Sequence, residues 1–107
     1  KSYMEVGDCV DAILHVMEHA KEPLNLYNLG SHDTCSVRRI AEIVVEVTNN
    51  HGAAIEYTGG ERGWAGDIPR ARLGIDKMLN TGFDVQMNSE AAVRHTATCL
   101  LEEIGTE

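Results

Sequence analysis

The stretch "GGERGWAGDIPRARLGIDKMLNTGF", residues 59–83, combines glycines, three arginines, one proline and the only tryptophan of the chain. Glycine and proline weaken regular helices and strands, so the stretch predicts a stiff turn followed by a short helix. Gly59, Gly60 and Gly63 let the backbone turn tightly and approach a ligand, and Arg62 carries donors that match phosphate oxygens. Asp67 could accept hydrogen bonds from ribose hydroxyls. On composition alone, the favoured interpretation is an exposed loop whose arginines pair with the surplus acids.

The composition is that of one small acidic domain. A chain of 107 residues is long enough for a single core, and with 5% aromatic residues that core should be aliphatic. The formal net charge of −8 argues against binding to nucleic acid or to an anionic membrane, since both need a basic surface. An anionic ligand held by a few local cations stays compatible with it.

The cysteines and the ends of the chain bear on its location and origin. Cys9, Cys35 and Cys99 are widely spaced and odd in number, which is typical of reduced thiols in a cytoplasmic protein. No long apolar run or signal-peptide pattern is present. The sequence starts at Lys1 rather than at a methionine, so we expect a fragment, a processed product or a trimmed chain.

Hydrophobic periodicity predicts the element order β-α-β-α-β-α-α. Period-two or weakly alternating segments indicate three strands, at residues 3–6, 24–29 and 53–58. Helical periodicity, capping residues and breakers indicate four helices. The predicted features are a first helix capped by Asp8 and ended by Pro23, a second capped by Ser36 and stopped at Asn49, a short third over 75–80 before a left-handed Gly82, and a fourth capped by Asn88 or Ser89.

The chain shows no catalytic or metal-binding motif of its own. His15 and His19 are spaced to share a metal, but no third ligand is evident and neighbouring acids indicate a solvated helix face. No sequence feature provides a base for a cysteine nucleophile, and no Gly-x-Gly-x-x-Gly or phosphate-loop pattern is present. The predicted catalytic residues are therefore none, and the predicted metal ligands are none.

Four ordered blocks resemble a known family. "KSYMEVGDCVDAIL" (1–14), "LYNLGSHDTCSVRRIAEIV" (26–44), residues 59–83 and "NSEAAVRHT" (88–96) are similar to the C-terminal portion of NAD-dependent sugar-nucleotide epimerases and dehydratases. These are extended short-chain dehydrogenase/reductase enzymes, among them UDP-glucose 4-epimerase. The blocks have the family's order and spacing and cover nearly the whole chain, although each block alone is weak.

The resemblance implies a substrate-binding role without independent activity. It implies that Arg62 and Lys1 meet the diphosphate of the substrate and that Asp67 holds the ribose. Trp64 stands where many epimerases have an arginine, and Gly74 stands where the family commonly has a capping aspartate. The family's glycine-rich NAD fingerprint and its Tyr-x-x-x-Lys pair are absent, so NAD would bind upstream of this chain and none within it.

Together these observations predict an α/β protein, α+β in isolation, in which residues 1–107 form one C-terminal substrate-binding domain or fragment without a Rossmann core. The predicted substrate-binding residues are Lys1, Arg62, Trp64 and Asp67, and the expected partner is a sugar nucleotide. Apolar surface that would pack on a cofactor domain leads us to expect a homodimer. The alternatives are a stand-alone binding or regulatory module of the same fold and a generic α+β interaction domain.

Overall fold

The structure is a computed structural model that describes residues 1–105 and contains four helices in that range. They are α1 (Val6–His19), α2 (Val37–Thr48), α3 (Asp76–Asn80) and α4 (Ser89–Ile104). No strand is present within residues 1–105. The predicted α/β class, and the β-α-β-α-β-α-α order with it, is therefore wrong, and the described fold is all-helical.

The three predicted strands fail because a strand needs a neighbour. A strand forms only when adjacent backbone takes up its N–H and C=O groups, and a period-two pattern says nothing about that neighbour. Segments 24–29 and 53–58 have no regular secondary structure, and Val6 begins α1 instead of ending a strand. Exposed and half-buried residues still alternate along segment 24–29. Leu24 and Leu26 are among the exposed ones, with 77% and 71% of their surface accessible.

The start of α1 differs from the prediction in its cap. Glu5, not Asp8, is the N-cap, and its carboxylate accepts a hydrogen bond of 3.0 Å from the Asp8 amide. Asp8 lies in the first turn, is only 5% exposed, and accepts bonds from the Gln86 and Met87 amides at 3.1 and 3.0 Å. Asp8 thus connects α1 to the segment that precedes α4.

Helix α1 ends at His19, before Pro23, because Ala20 is already extended, so the predicted end of this helix is wrong. The predicted limits of α2, the predicted start of α4 and the position of Gly82 are confirmed. Ser36 caps α2 by accepting from the Arg39 amide at 3.0 Å, and the left-handed Asn49 ends that helix. Asn88, rather than Ser89, caps α4 through the Ala91 amide at 2.8 Å. The short α3 precedes Gly82, whose φ of 92° is left-handed as predicted. These boundaries depend on local sequence, which explains why they could be predicted.

Helices α2 and α4 pack against each other and are joined by an ion-pair network. The Arg39 guanidinium contacts Glu90 at 2.6 Å, Glu42 at 3.2 Å and Glu46 at 3.1 Å. Arg94 contacts the other carboxylate oxygen of Glu46 at 2.6 Å. These arginines hold the pKa of Glu46 and of Glu90 below their ordinary values, chiefly through side-chain hydrogen bonds.

The described residues enclose a small core and leave much apolar surface uncovered. The buried hydrophobic residues are Ala12, Cys35, Ile43, Ile75, Met78 and Ala92. The body measures 54 × 35 × 19 Å, and a flat shape of this kind limits what can be buried. None of the helices within residues 1–105 combines the length and the apolar character needed to cross a bilayer.

Candidate functional site

The turn before Arg62 needs its glycines. Gly59 and Gly60 have φ values of 75° and 96°, in the left-handed region that L side chains rarely adopt. The two glycines connect segment 53–58 to residues 61–67, which form a loop without helix or strand. The two glycines therefore position the loop that carries Arg62 and Asp67.

Asp67 organises that loop through both of its carboxylate oxygens. Oδ2 accepts a hydrogen bond from the Gly63 amide at 3.1 Å, and Oδ1 pairs with the Lys1 ammonium group. The Asp67 amide also donates to the Trp64 carbonyl at 3.0 Å. The bond from Lys1, and next the bond from the Gly63 amide, hold the pKa of Asp67 below its ordinary value. Asp67 is thus an ionised acceptor at neutral pH.

Lys1 is in turn positioned by the segment that leads into α2. Its backbone nitrogen donates to the Cys35 carbonyl at 3.2 Å, and the Cys35 amide donates to the Lys1 carbonyl at 2.8 Å. Cys35 is buried and precedes the cap residue Ser36 directly. The cation is therefore attached to the start of α2, while its partner Asp67 belongs to the loop.

An open cavity of about 990 Å³ lies where these parts meet. Three of the four predicted substrate-binding residues, Lys1, Arg62 and Asp67, line it. Trp64 does not: it is 69% exposed, and its ring lies against Gly66, where an added Cβ would come within 2.3 Å of the ring. The structure brings three predicted residues together, and their contact with substrate stays a prediction.

The lining of this cavity is more cationic than the rest of the chain. It includes four cationic residues, Lys1, Arg62, Arg70 and Arg72, and three acidic ones, Glu56, Glu61 and Asp67. Four minus three gives a local formal charge of +1, whereas the whole chain carries −8. Within residues 1–105, Arg70 and Arg72 form none of the ion pairs. Both arginines line the cavity, and guanidinium groups outside ion pairs suit an anion.

Arg70, Arg72 and Tyr57 line the cavity although the sequence analysis assigned them no role. The alternation Arg70-Ala71-Arg72 after Pro69 could have predicted that both arginines lie on one side of the chain, because residues two apart share a side of an extended backbone. Tyr57 lies two residues before the Gly59 turn, but its packing on another element could not be inferred from local sequence.

The histidine pair of α1 is occupied by other contacts. The rings of His15 and His19 stack with centroids 4.0 Å apart. His15 Nε2 lies 2.8 Å from the Thr81 carbonyl oxygen, and His19 Nδ1 lies 2.8 Å from the His15 carbonyl oxygen. No group of three or more potential metal ligands occurs among the described residues. The pair therefore contributes to packing between α1 and the end of α3.

The whole fold is similar to part of a solved enzyme. Its described architecture matches the crystal structure of a UDP-galactose 4-epimerase with a TM-score of 0.78 and 33% sequence identity. The match covers 97% of this chain and 34% of the epimerase chain. The epimerase resemblance is confirmed. This epimerase-like chain thus spans about a third of the length of the structure it matches.

Other comparisons add nothing to this match, since no protein-family model and no curated protein matches the chain. That NAD would bind upstream of this chain stays a prediction.

Proposed function

We propose that this chain binds the nucleotide diphosphate of a sugar nucleotide, as the C-terminal part of an NAD-dependent epimerase or dehydratase, and that it does not turn over substrate alone. The observation that supports this most directly is the convergence of Lys1, Arg62 and Asp67 on one cavity. It occurs in a chain that resembles a UDP-galactose 4-epimerase over 97% of its length.

The cavity has the charge and size that such a ligand requires. Guanidinium groups present planar forks of donors that match phosphate oxygens, and Arg62, Arg70 and Arg72 supply three of them. Ligand pockets commonly measure about 300–1,000 Å³, and the 990 Å³ cavity lies at the upper end of that range. A diphosphate can therefore be neutralised locally although the chain as a whole is acidic.

The Lys1–Asp67 pair supports two contacts at once. An ammonium group has three donors, so pairing with Asp67 leaves Lys1 able to donate to a phosphate oxygen. Each carboxylate oxygen of Asp67 has a further lone pair beyond its bond to Lys1 or Gly63, and ribose hydroxyls can donate to these. Asp67 thus orients the cation and receives the ribose.

This assignment gives the chain a positioning role. Contacts with the diphosphate and ribose involve the part of the substrate that does not react, and their binding energy can orient the sugar. When bound, NAD supplies the hydride chemistry, and the residues of this chain hold the substrate for it. The affinity of the chain for a nucleoside diphosphate is therefore the property to measure.

Isothermal titration of the chain with UDP and with dTDP tests the proposal. Arg62→Ala removes a guanidinium fork, and Asp67→Ala removes the ribose acceptor and releases Lys1, so each should weaken binding at least about tenfold, as expected for charged hydrogen bonds. Lys21→Ala removes a cation outside the cavity lining and serves as the matched control. Unchanged affinity in both cavity variants would contradict the site assignment.

A further inference from the structure

Tyr57 is held in place from one side by α2. The Arg38 guanidinium lies over the Tyr57 ring, with its central carbon 4.5 Å from the ring centroid. This is within the distance of about 6 Å at which cation–π attraction acts. Arg38 is the second residue of α2, so the contact attaches the irregular segment 53–58 to a capped helix. The ring is therefore fixed although its own backbone forms no helix or strand.

Tyr57 also borders the cavity and is half-exposed. Tyr57 is among the residues that line the 990 Å³ cavity, and Arg38 is not. Tyr57 also keeps 47% of its surface exposed while Arg38 covers it from outside the cavity. Tyr57, Arg62 and Asp67 therefore line the same cavity, and Tyr57 is not fully covered by Arg38.

We propose that Tyr57 is the stacking platform for the nucleobase of the ligand. A nucleoside diphosphate carries three chemically different parts, and the cavity offers a matching group for each. Cations face the diphosphate, Asp67 can accept from the ribose, and an aromatic side chain held in one orientation can stack on a planar base. This inference rests on the proposed function and extends it to the base.

The stacking assignment has a consequence for specificity. Stacking uses the flat face that every nucleobase has, so Tyr57 by itself should accept pyrimidines and purines alike. The Tyr57 ring and the cations also contribute to ligand affinity through different parts of the ligand. A ligand that has the diphosphate but no base should not depend on Tyr57, whereas it should depend on Arg62.

Titration of the full chain with UDP and with inorganic pyrophosphate separates these contributions. Tyr57→Leu should weaken UDP binding by about tenfold, since loss of base–aromatic stacking has effects of this size, and should leave pyrophosphate binding unchanged. Tyr57→Phe keeps the ring and should bind UDP as the original chain does. Circular dichroism of each variant confirms that its helices are intact. Equal UDP affinity in Tyr57→Leu and the original chain would overturn the inference.

Arg62→Ala distinguishes failure of this inference from failure of the proposed function. If Arg62→Ala weakens both ligands and Tyr57→Leu weakens neither, the diphosphate site stands and the stacking platform is wrong. If the original chain binds neither ligand, both proposals are overturned. Arg38→Ala removes the cation that fixes the ring, and it should weaken UDP binding, but less than Tyr57→Leu does.

Discussion

Replacing Asp8 by alanine should destabilise the fold strongly. The Asp8 carboxylate is 5% exposed and accepts two backbone hydrogen bonds, from Gln86 at 3.1 Å and from Met87 at 3.0 Å. Alanine leaves both partly buried amides without an acceptor, and each such loss costs about 1–3 kcal/mol. Water can reach these partly buried amides to some extent, which lowers the cost of leaving them without an acceptor. We therefore expect a decrease of about 2–4 kcal/mol in the free energy of unfolding.

Urea unfolding followed by circular dichroism measures this effect. Asp11→Ala is the matched control, because Asp11 lies on the same helix, is exposed, and accepts none of the hydrogen bonds within residues 1–105. A loss of about 3 kcal/mol lowers the melting temperature of a domain this size by well over 10 °C, using about 4–8 °C per kcal/mol. If Asp8→Ala unfolds at the same urea concentration as Asp11→Ala, the bonds from Asp8 do not connect α1 to the segment before α4.

Three further outcomes are expected. Gly60→Ala should weaken UDP binding, because a side chain at φ 96° costs about 1–2 kcal/mol, while Gly52→Ala, in open space and without a positive φ, should not. The pKa of Asp67 is lowered by Lys1 and then by the Gly63 amide, so its stabilisation is complete above the ordinary value of 3.8 and is lost only as pH falls below it. The terminal phosphate of UDP has a pKa of about 6 and titrates in the same range, so the readout is the ratio of UDP affinities between the original chain and Asp67→Asn. This ratio should stay constant between pH 5 and 7, and a tenfold change in it would contradict the pair. Light scattering after size exclusion should show a dimer, and a monomer at high concentration would refute it.

Local signals predicted the helices well. Ser36, Asn88 and Gly82 have the roles that their residue types indicate, because caps and left-handed termini are decided within a few residues of sequence. The cap of α1 was predicted wrongly because it depends on contacts that local sequence does not show. Glu5 and Asp8 are both acidic and lie three residues apart, and only the contacts of Asp8 with distant backbone decide which of them caps the helix.

The part of the candidate site that lies in short sequence motifs could be predicted. Residue chemistry indicated Arg62 and Asp67, the resemblance added Lys1, and all three line one cavity. Trp64 was selected for its position in the sequence, but its ring packs on Gly66 instead of facing the cavity. Tyr57 acquires its place from Arg38, 19 positions earlier in the chain, and a contact of that kind cannot be read from a local pattern.

The strand error and the uncovered apolar surface have one physical origin. Leu24 and Leu26 follow a period-two pattern, yet their side of segment 24–29 faces solvent, and α2 and α4 border an apolar cavity of about 530 Å³. Apolar surface of this extent is costly in water, so we expect it to be covered by another surface. We expect a second copy to provide this cover when the chain is alone, since the same surfaces would then be shielded by self-association.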